Sequence, residues 1–161
     1  VEDAARIISL GFEKVSIIAA FFDTPTLVND ITSVVGTQSL AVCLDVKMIS
    51  NEYAIFTHRG TKKIKWNLIQ TLEFIEKNPI GEVIINSIDR DGTFAGYDIE
   101  LARIVRNNIS VNITMVGGCN GVLDFTELEK SIGVCGNGVG SFFTFVGKNN
   151  AVLLNYSKPN I

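Results

Sequence analysis

Five segments of this 161-residue chain each follow directly on a short apolar run: Ile18-Ala19, Asp45-Val46-Lys47, residues 86–93, Gly117-Gly118 and Gly138-Val139-Gly140-Ser141. Three of them hold glycine and two carry carboxylates. Glycine lets backbone N–H groups approach an anion closely, and a following helix N-terminus adds partial positive charge. Gly117, Gly118, Gly140 and Ser141 together therefore have the makings of a grip on one phosphate. The same glycines are also what a tight strand-to-helix turn requires, and spacing alone does not separate the two readings.

The segment Asn86-Ser87-Ile88-Asp89-Arg90-Asp91-Gly92-Thr93 admits two further chemistries. Ser87, Asp89, Asp91, Gly92 and Asp98 fall at positions 1, 3, 5, 6 and 12 of an EF-hand loop, but an apolar strand leads in and the last ligand is not Glu. Asp89-x-Asp91-Gly92-Thr93 also resembles the haloacid dehalogenase signature, a carboxylate nucleophile with magnesium ligands. That chemistry needs an acidic pair after a later strand, and the later strands here end in glycine.

Composition narrows the classes. With 47% hydrophobic and 19% charged residues the chain is expected to form one globular, core-forming domain. Its 14 Lys+Arg against 17 Asp+Glu give a net charge of -3, which argues against nucleic acid as a partner. His58 is the only histidine, and Cys43, Cys119 and Cys135 have no C-x-x-C spacing, so no zinc site is expected. An odd number of cysteines in or beside apolar runs suits buried thiols in a reducing, cytoplasmic setting. No apolar run reaches the roughly 18 residues of a membrane span, and no basic-then-apolar leader opens the chain. The Asn-x-Ser/Thr matches at Asn108, Asn112 and Asn155 are then coincidental. The start at Val1, straight into an amphipathic helix, reads as a beginning inside a domain.

The elements that must position these segments alternate without a linker. Periodicity predicts a helix over 4–10, a strand over 14–18, a helix after Pro25 with Leu27, Ile31 and Val35 on its buried face, and a strand over 39–45. Residues 47–65 read as a hairpin-like insertion with 53–56 as one arm and the basic run 59–63 near its far end. A helix over 66–77, a strand over 82–86, a helix to Arg106, a strand over 111–116, a helix over 123–132 and a short strand over 134–137 follow. The last apolar run, 151–156, has no helix pattern. Short strands separated by helices mark right-handed βαβ units and a parallel sheet, hence an α/β fold. Two forms compete: an open doubly wound sheet and part of a (β/α)₈ barrel, which needs about 250 residues when complete.

The stretch 86–93 with Gly96-Tyr97-Asp98 resembles the Ser-Ile-Asp-Arg-Asp-Gly-Thr stretch of the cyclase subunit of imidazole glycerol phosphate synthase, the HisF-like family. Residues 14–17, Asp45-Val46-Lys47, Gly117-Gly118 and Gly140-Ser141 recur in the same order across nearly the whole chain. The resemblance implies a (β/α)₈ TIM barrel, with residues 1–161 supplying about strands four to eight and 47–65 as the insertion. It implies an ammonia-using synthase of lyase type in histidine biosynthesis. Its partner would be a glutaminase, and its substrate a phosphorylated, sugar-nucleotide-like small molecule. Asp45 would be the general acid/base, and Asp91 the loop carboxylate near substrate. Gly92, Thr93, Gly117, Gly118, Gly140 and Ser141 would bind substrate phosphate. Lys14 and Glu82 would form an ammonia gate, or on residue type alone an ordinary salt bridge. No cofactor or metal is implied.

This sequence departs from the family pattern at several points. Ile18-Ala19 stand where the family has polar donors for a second phosphate, and Asn86 replaces a Thr. The ending over 142–156 replaces the usual final helix and resembles a paralogue group linked to amidation of surface-polysaccharide sugars. A non-catalytic half-barrel scaffold that docks a glutaminase is the third reading. The family's other catalytic Asp belongs to a first strand outside this chain, so the chain alone is expected to be inactive and to self-associate through its unpaired strand edges.

Overall fold

The computed structural model of the chain describes residues 1–146 and 151–152. Strands β1 (Val15–Ile17), β2 (Leu40–Ile49), β5 (Glu82–Ser87), β6 (Asn112–Val116) and β7 (Gly136–Gly138) run parallel. Each pairs with the next in that order: β1 with β2, β2 with β5, β5 with β6 and β6 with β7. Helices α1 (Glu2–Ser9), α2 (Ala19–Asp23), α3 (Leu27–Val35), α4 (Leu68–Glu76), α5 (Ile99–Asn108) and α6 (Val122–Ile132) lead into or connect these strands. A short α7 (Ser141–Thr144) follows β7, and the two-residue strands β8 (Phe145–Val146) and β9 (Ala151–Val152) pair antiparallel. Residues 153–156 of the last apolar run, and Asn155 with them, lie outside the described residues.

The strand order never reverses. Right-handed crossovers that always step in the same direction carry their helices to one face, whereas a doubly wound sheet needs a reversal to cover both. Burial along the strands follows this rule. Leu40, Val42, Leu44 and Val46 of β2, Val83 and Ile85 of β5, and Ile113 and Met115 of β6 are at most 2% exposed. They form one core with helical Val28, Ile31, Leu72, Ile75, Leu101, Val105 and Leu128. Their alternates on the other face, Cys43, Asp45, Ile84, Asn86, Thr114 and Val116, are half-buried. This one-sided progression is that of a (β/α)₈ barrel, and among the described residues the sheet remains open.

Strand β2 runs four residues past Asp45, beyond the end expected from the apolar pattern, because β3 (Glu52–Thr57) pairs with it antiparallel from Asp45↔Phe56 to Ile49↔Glu52. Ser50 and Asn51 close that hairpin at φ of 48° and 68°, the left-handed pair a two-residue type I′ turn demands. β4 (Lys62–Asn67) pairs with β3, so the insertion is a true hairpin with the basic run at its tip. Trp66, expected at the start of a helix, belongs to β4. The helix begins after Asn67, whose Oδ1 accepts the Gln70 amide at 2.8 Å while Gln70 Oε1 accepts the Asn67 amide at 3.1 Å. Trp66 packs edge-on or tilted against Phe21, Phe22 and Phe74, and so ties the hairpin to α4 and to α2, a five-residue helix the periodicity does not announce.

Candidate functional site

Asp45 lies on β2 at the level where its partner on one side changes from β1 to β3. On the other side it is in register with Asn86 of β5, which pairs with Val116 of β6, which pairs with Gly138 of β7. A single row thus crosses the half-buried face from Asp45 to Gly138. Asn86 Nδ2 donates to Asp45 Oδ1 at 2.9 Å, and Asp45 Oδ2 makes no hydrogen bond among the described residues. Cys43, one pleat below, has its thiol pushed up to about 11 by burial and then by the Asp45 charge. It is an inert neighbour rather than a nucleophile.

At the far end of the row lies a small cavity of about 70 Å³ whose lining includes Asp91, Gly92, Gly117, Gly118, Gly140 and Ser141. Val116 and Gly138 of the row, with Phe94 and Cys119, complete it. Two of the glycines are demanded by packing as well. A Cβ on Gly117 would stand 2.6 Å from the Ser87 carbonyl, and one on Gly118 would stand 2.1 Å from the Gly96 carbonyl. The Gly96 amide donates to the Gly118 carbonyl at 2.8 Å, so the 87–98 loop is laid against the β6 loop with no room for a side chain between them. Gly140 differs, since open space surrounds the position of its Cβ.

Thr93 is not among the residues lining this cavity. Its hydroxyl donates to the Arg90 carbonyl at 2.7 Å and accepts from the Ala95 amide at 3.3 Å, shaping the loop instead. Arg90 likewise turns inward, donating to the carbonyls of Ala95 and Gly96. Asp89 Oδ2 accepts the Met48 amide at 2.7 Å, which binds the loop to the hairpin. A larger cavity of about 680 Å³ borders the same loop and carries Asp89, Asp98, Glu100, Asp124 and Glu127 against the one guanidinium of Arg90. Its charge disfavours an anion, and sequence reading gave no sign of it because its carboxylates come from three separate segments, the loop after β5, the start of α5 and α6.

Lys14 and Glu82 form an ion pair at the opposite ends of the strands. Lys14 precedes β1 and Glu82 opens β5, with β2 between them. Ala41 is the β2 residue in register with Glu82, and its single methyl leaves the lysine room to cross. Glu82 Oε1 also accepts from Thr114 Oγ1 at 2.6 Å. Gly136 sits beside Thr114 where a Cβ would be 2.0 Å from that hydroxyl oxygen, so β7 is glycine there to admit it. Burial alone would push the Glu82 carboxyl up, but the hydrogen bonds from Lys14 and Thr114 outweigh it and hold it below the usual carboxylate value. From Glu82 to Asn86 along β5 is about 13 Å, so the ion pair and Asp45 occupy opposite ends of one face.

A progressive parallel sheet with its loop carboxylates and glycines gathered at the strands' carboxyl ends defines a barrel of the TIM class with its candidate site in the usual place. Over residues 1–148 the chain matches the family described as "Histidine biosynthesis protein", and it belongs to that family. It is 39% identical, over 99% of its length, to a protein of Vibrio vulnificus provisionally described as imidazole glycerol phosphate synthase subunit hisF3, and covers 62% of that relative. A protein of Leptospira borgpetersenii, with a like provisional description as subunit HisF, is 35% identical over 99% of this chain and 63% of its own length. Imidazole glycerol phosphate synthase subunit HisF of Sulfurisphaera tokodaii is 35% identical over 81% of this chain and 52% of its own length. The chain therefore spans about three fifths of the length of the curated relatives it matches. Among the described residues no helix is long and apolar enough to cross a membrane.

Proposed function

We propose that the protein is the ammonia-using cyclase subunit of a glutamine amidotransferase complex, of imidazole glycerol phosphate synthase type. The observation that carries this reading is the row from Asp45 to Gly138, with a free carboxylate oxygen at one end and the glycine-lined cavity at the other. Two strand spacings separate Asp45 from Val116 at the cavity wall, about 10 Å. A phosphate held by the amides around Gly118, Gly140 and Ser141 would lay the body of a ribulosyl substrate across β5 toward Asp45. Asp45 then serves as general acid/base for the proton transfers of imine formation, cyclisation and bond cleavage. Asp91 stands at the cavity rim. Lys14 and Glu82, at the other end of the same face, are where ammonia from a glutaminase would enter.

The end of β1 favours a second reading of the substrate. Ile18 makes no side-chain cap to α2, and Ala19 and Ala20 open that helix, so this loop offers no polar side chain to a second phosphate. An acceptor with one anionic end, such as a sugar derivative amidated by the same ammonia chemistry, fits that loop better. The deciding experiment uses the full-length protein and supplies ammonium chloride with either the bis-phosphorylated ribulosyl substrate or a uronate-type sugar together with ATP, which an amide-forming step needs to carry off the carboxylate oxygen. Product from the first supports the cyclase. Product from the second alone supports sugar amidation, and product from neither overturns both.

A further inference from the structure

The side chain paired with Asp45 has a second polar atom with nothing to bind. A carboxylate only accepts, so the Asn86 amide must turn its N–H₂ toward Asp45, and its carbonyl Oδ1 is then directed elsewhere. That oxygen is buried and has no hydrogen-bond partner among the described residues. The pair is held by strand register, in the middle of a sheet, rather than by a mobile loop. A buried carbonyl left unpaired is costly, so its persistence here points to a donor that the described residues do not provide.

The surroundings define that donor. Asn86 Oδ1 and the free Asp45 Oδ2 are two acceptors on adjacent strands, one of them anionic, which suits a small species rich in N–H. On the same face of β5, the residues below Asn86 are Ile84 and then Glu82. Ile84 accepts nothing, and its neighbour Thr114 is committed to Glu82. A nitrogen species moving along β5 from the Lys14–Glu82 end therefore meets Asn86 Oδ1 as its next strong acceptor on that strand.

We propose that Asn86 is a positioning residue with two tasks: its amide N–H fixes the Asp45 carboxylate, and its Oδ1 receives an N–H of incoming ammonia or ammonium. This rests on the ammonia-using reading above, and the test separates the two. In the full chain, the side-chain amide resonances of Asn86 are identified by their loss in Asn86→Leu and followed during titration with ammonium chloride, with potassium chloride as control. A saturable shift with ammonium alone is expected. An equal response to both salts, or none, means that water fills the position and overturns the proposal. In turnover of the full-length protein with the ribulosyl substrate, Asn86→Leu should raise the KM for ammonium at least tenfold and leave the KM for the ribulosyl substrate within twofold. Equal changes in both overturn the positioning role. If Asn86→Leu does not fold, Asn86→Thr, which keeps one donor and one acceptor, should give a smaller rise confined to ammonium. Absence of turnover in the unsubstituted protein would count against the cyclase reading alone, and the titration would still decide Asn86.

Discussion

The hydroxyl of Tyr53 on β3 donates to Asp98 Oδ1 at 2.9 Å, and the same carboxylate oxygen accepts the Leu101 amide at 3.0 Å and caps α5. Ser87 Oγ, buried at the end of β5, reaches the other oxygen at 3.5 Å. One carboxylate thus joins the hairpin, the strand that carries Asn86 and the helix that follows the 87–98 loop. Burial first, and then the bond to Asp98, hold the Tyr53 phenol well above its ordinary value, so it stays a donor through the alkaline range.

Tyr53→Phe keeps the ring and removes the donor. The expected loss of stability is about 1 kcal/mol. Hydrogen exchange should accelerate over residues 50–65 more than in the parallel strands, since the other hairpin tethers, the Met48 amide on Asp89 and the Trp66 aromatic cluster, remain. Uniform acceleration throughout would show that the bond does not hold the hairpin in particular.

The phosphate grip is tested by two glycines of different standing. Open space around Gly140 predicts that Gly140→Val folds normally, with an unfolding midpoint close to that of the parent. Its affinity for inorganic phosphate, by calorimetry, should fall at least tenfold, because a branched side chain crowds the anion's approach. Gly118→Ala should instead lose the fold of the loop, since φ is +93° and the Gly96 carbonyl is in the way. Undiminished phosphate binding by Gly140→Val would remove the cavity from the substrate site.

Asp45→Asn retains an oxygen that can accept from Asn86 and removes the capacity to carry a proton. In the full-length protein with its glutaminase, ammonia-dependent turnover should fall by roughly 10²-fold or more, with circular dichroism and thermal midpoint nearly unchanged. Full turnover would show that Asp45 is not the acid/base, and a collapse of folding would make it a structural carboxylate.

The Lys14–Glu82 pair predicts a pH dependence of defined sign. The folded Glu82 carboxyl lies below the ordinary value of 4.5, so its contribution to stability is complete above that value and is lost as pH falls through the lower folded value. Chemical denaturation across this acid range should show a shallower decline for Glu82→Gln than for the parent. Glu76, also lowered by its bonds from Ser110, accounts for part of what remains. Identical slopes would mean that the ion pair contributes nothing to folding.

Among the described residues β1 pairs only with β2 and β7 only with β6, while the face bearing Ile84 and Val116 is half-buried. The isolated 161-residue chain is therefore expected to self-associate, with a scattering mass that rises with concentration. A monomer at every concentration, unfolding in one cooperative step, would show that the open sheet is sufficient by itself.

Short apolar runs separated by helical periodicity determined the parallel strands, because a helical crossover brings such strands side by side in one direction. Which face meets the helices was decided by the fold, since Ala41, Cys43 and Ile84 are as apolar as Val42, Leu44, Val83 and Ile85. The motif at 86–93 and the glycines after β6 and β7 were equally legible, since turn chemistry and close backbone approach constrain residue type locally. Tertiary structure alone decided the rest. The length of β2, the transfer of Trp66 from helix to strand, and the short α2 all depend on partners brought from elsewhere in the chain: β3 for the strand, Phe21 and Phe74 for the tryptophan. The crossing of Lys14 over Ala41 and the unpaired oxygen of Asn86 depend on register between strands some 25 to 70 residues apart, and local pattern carries no record of register at that range.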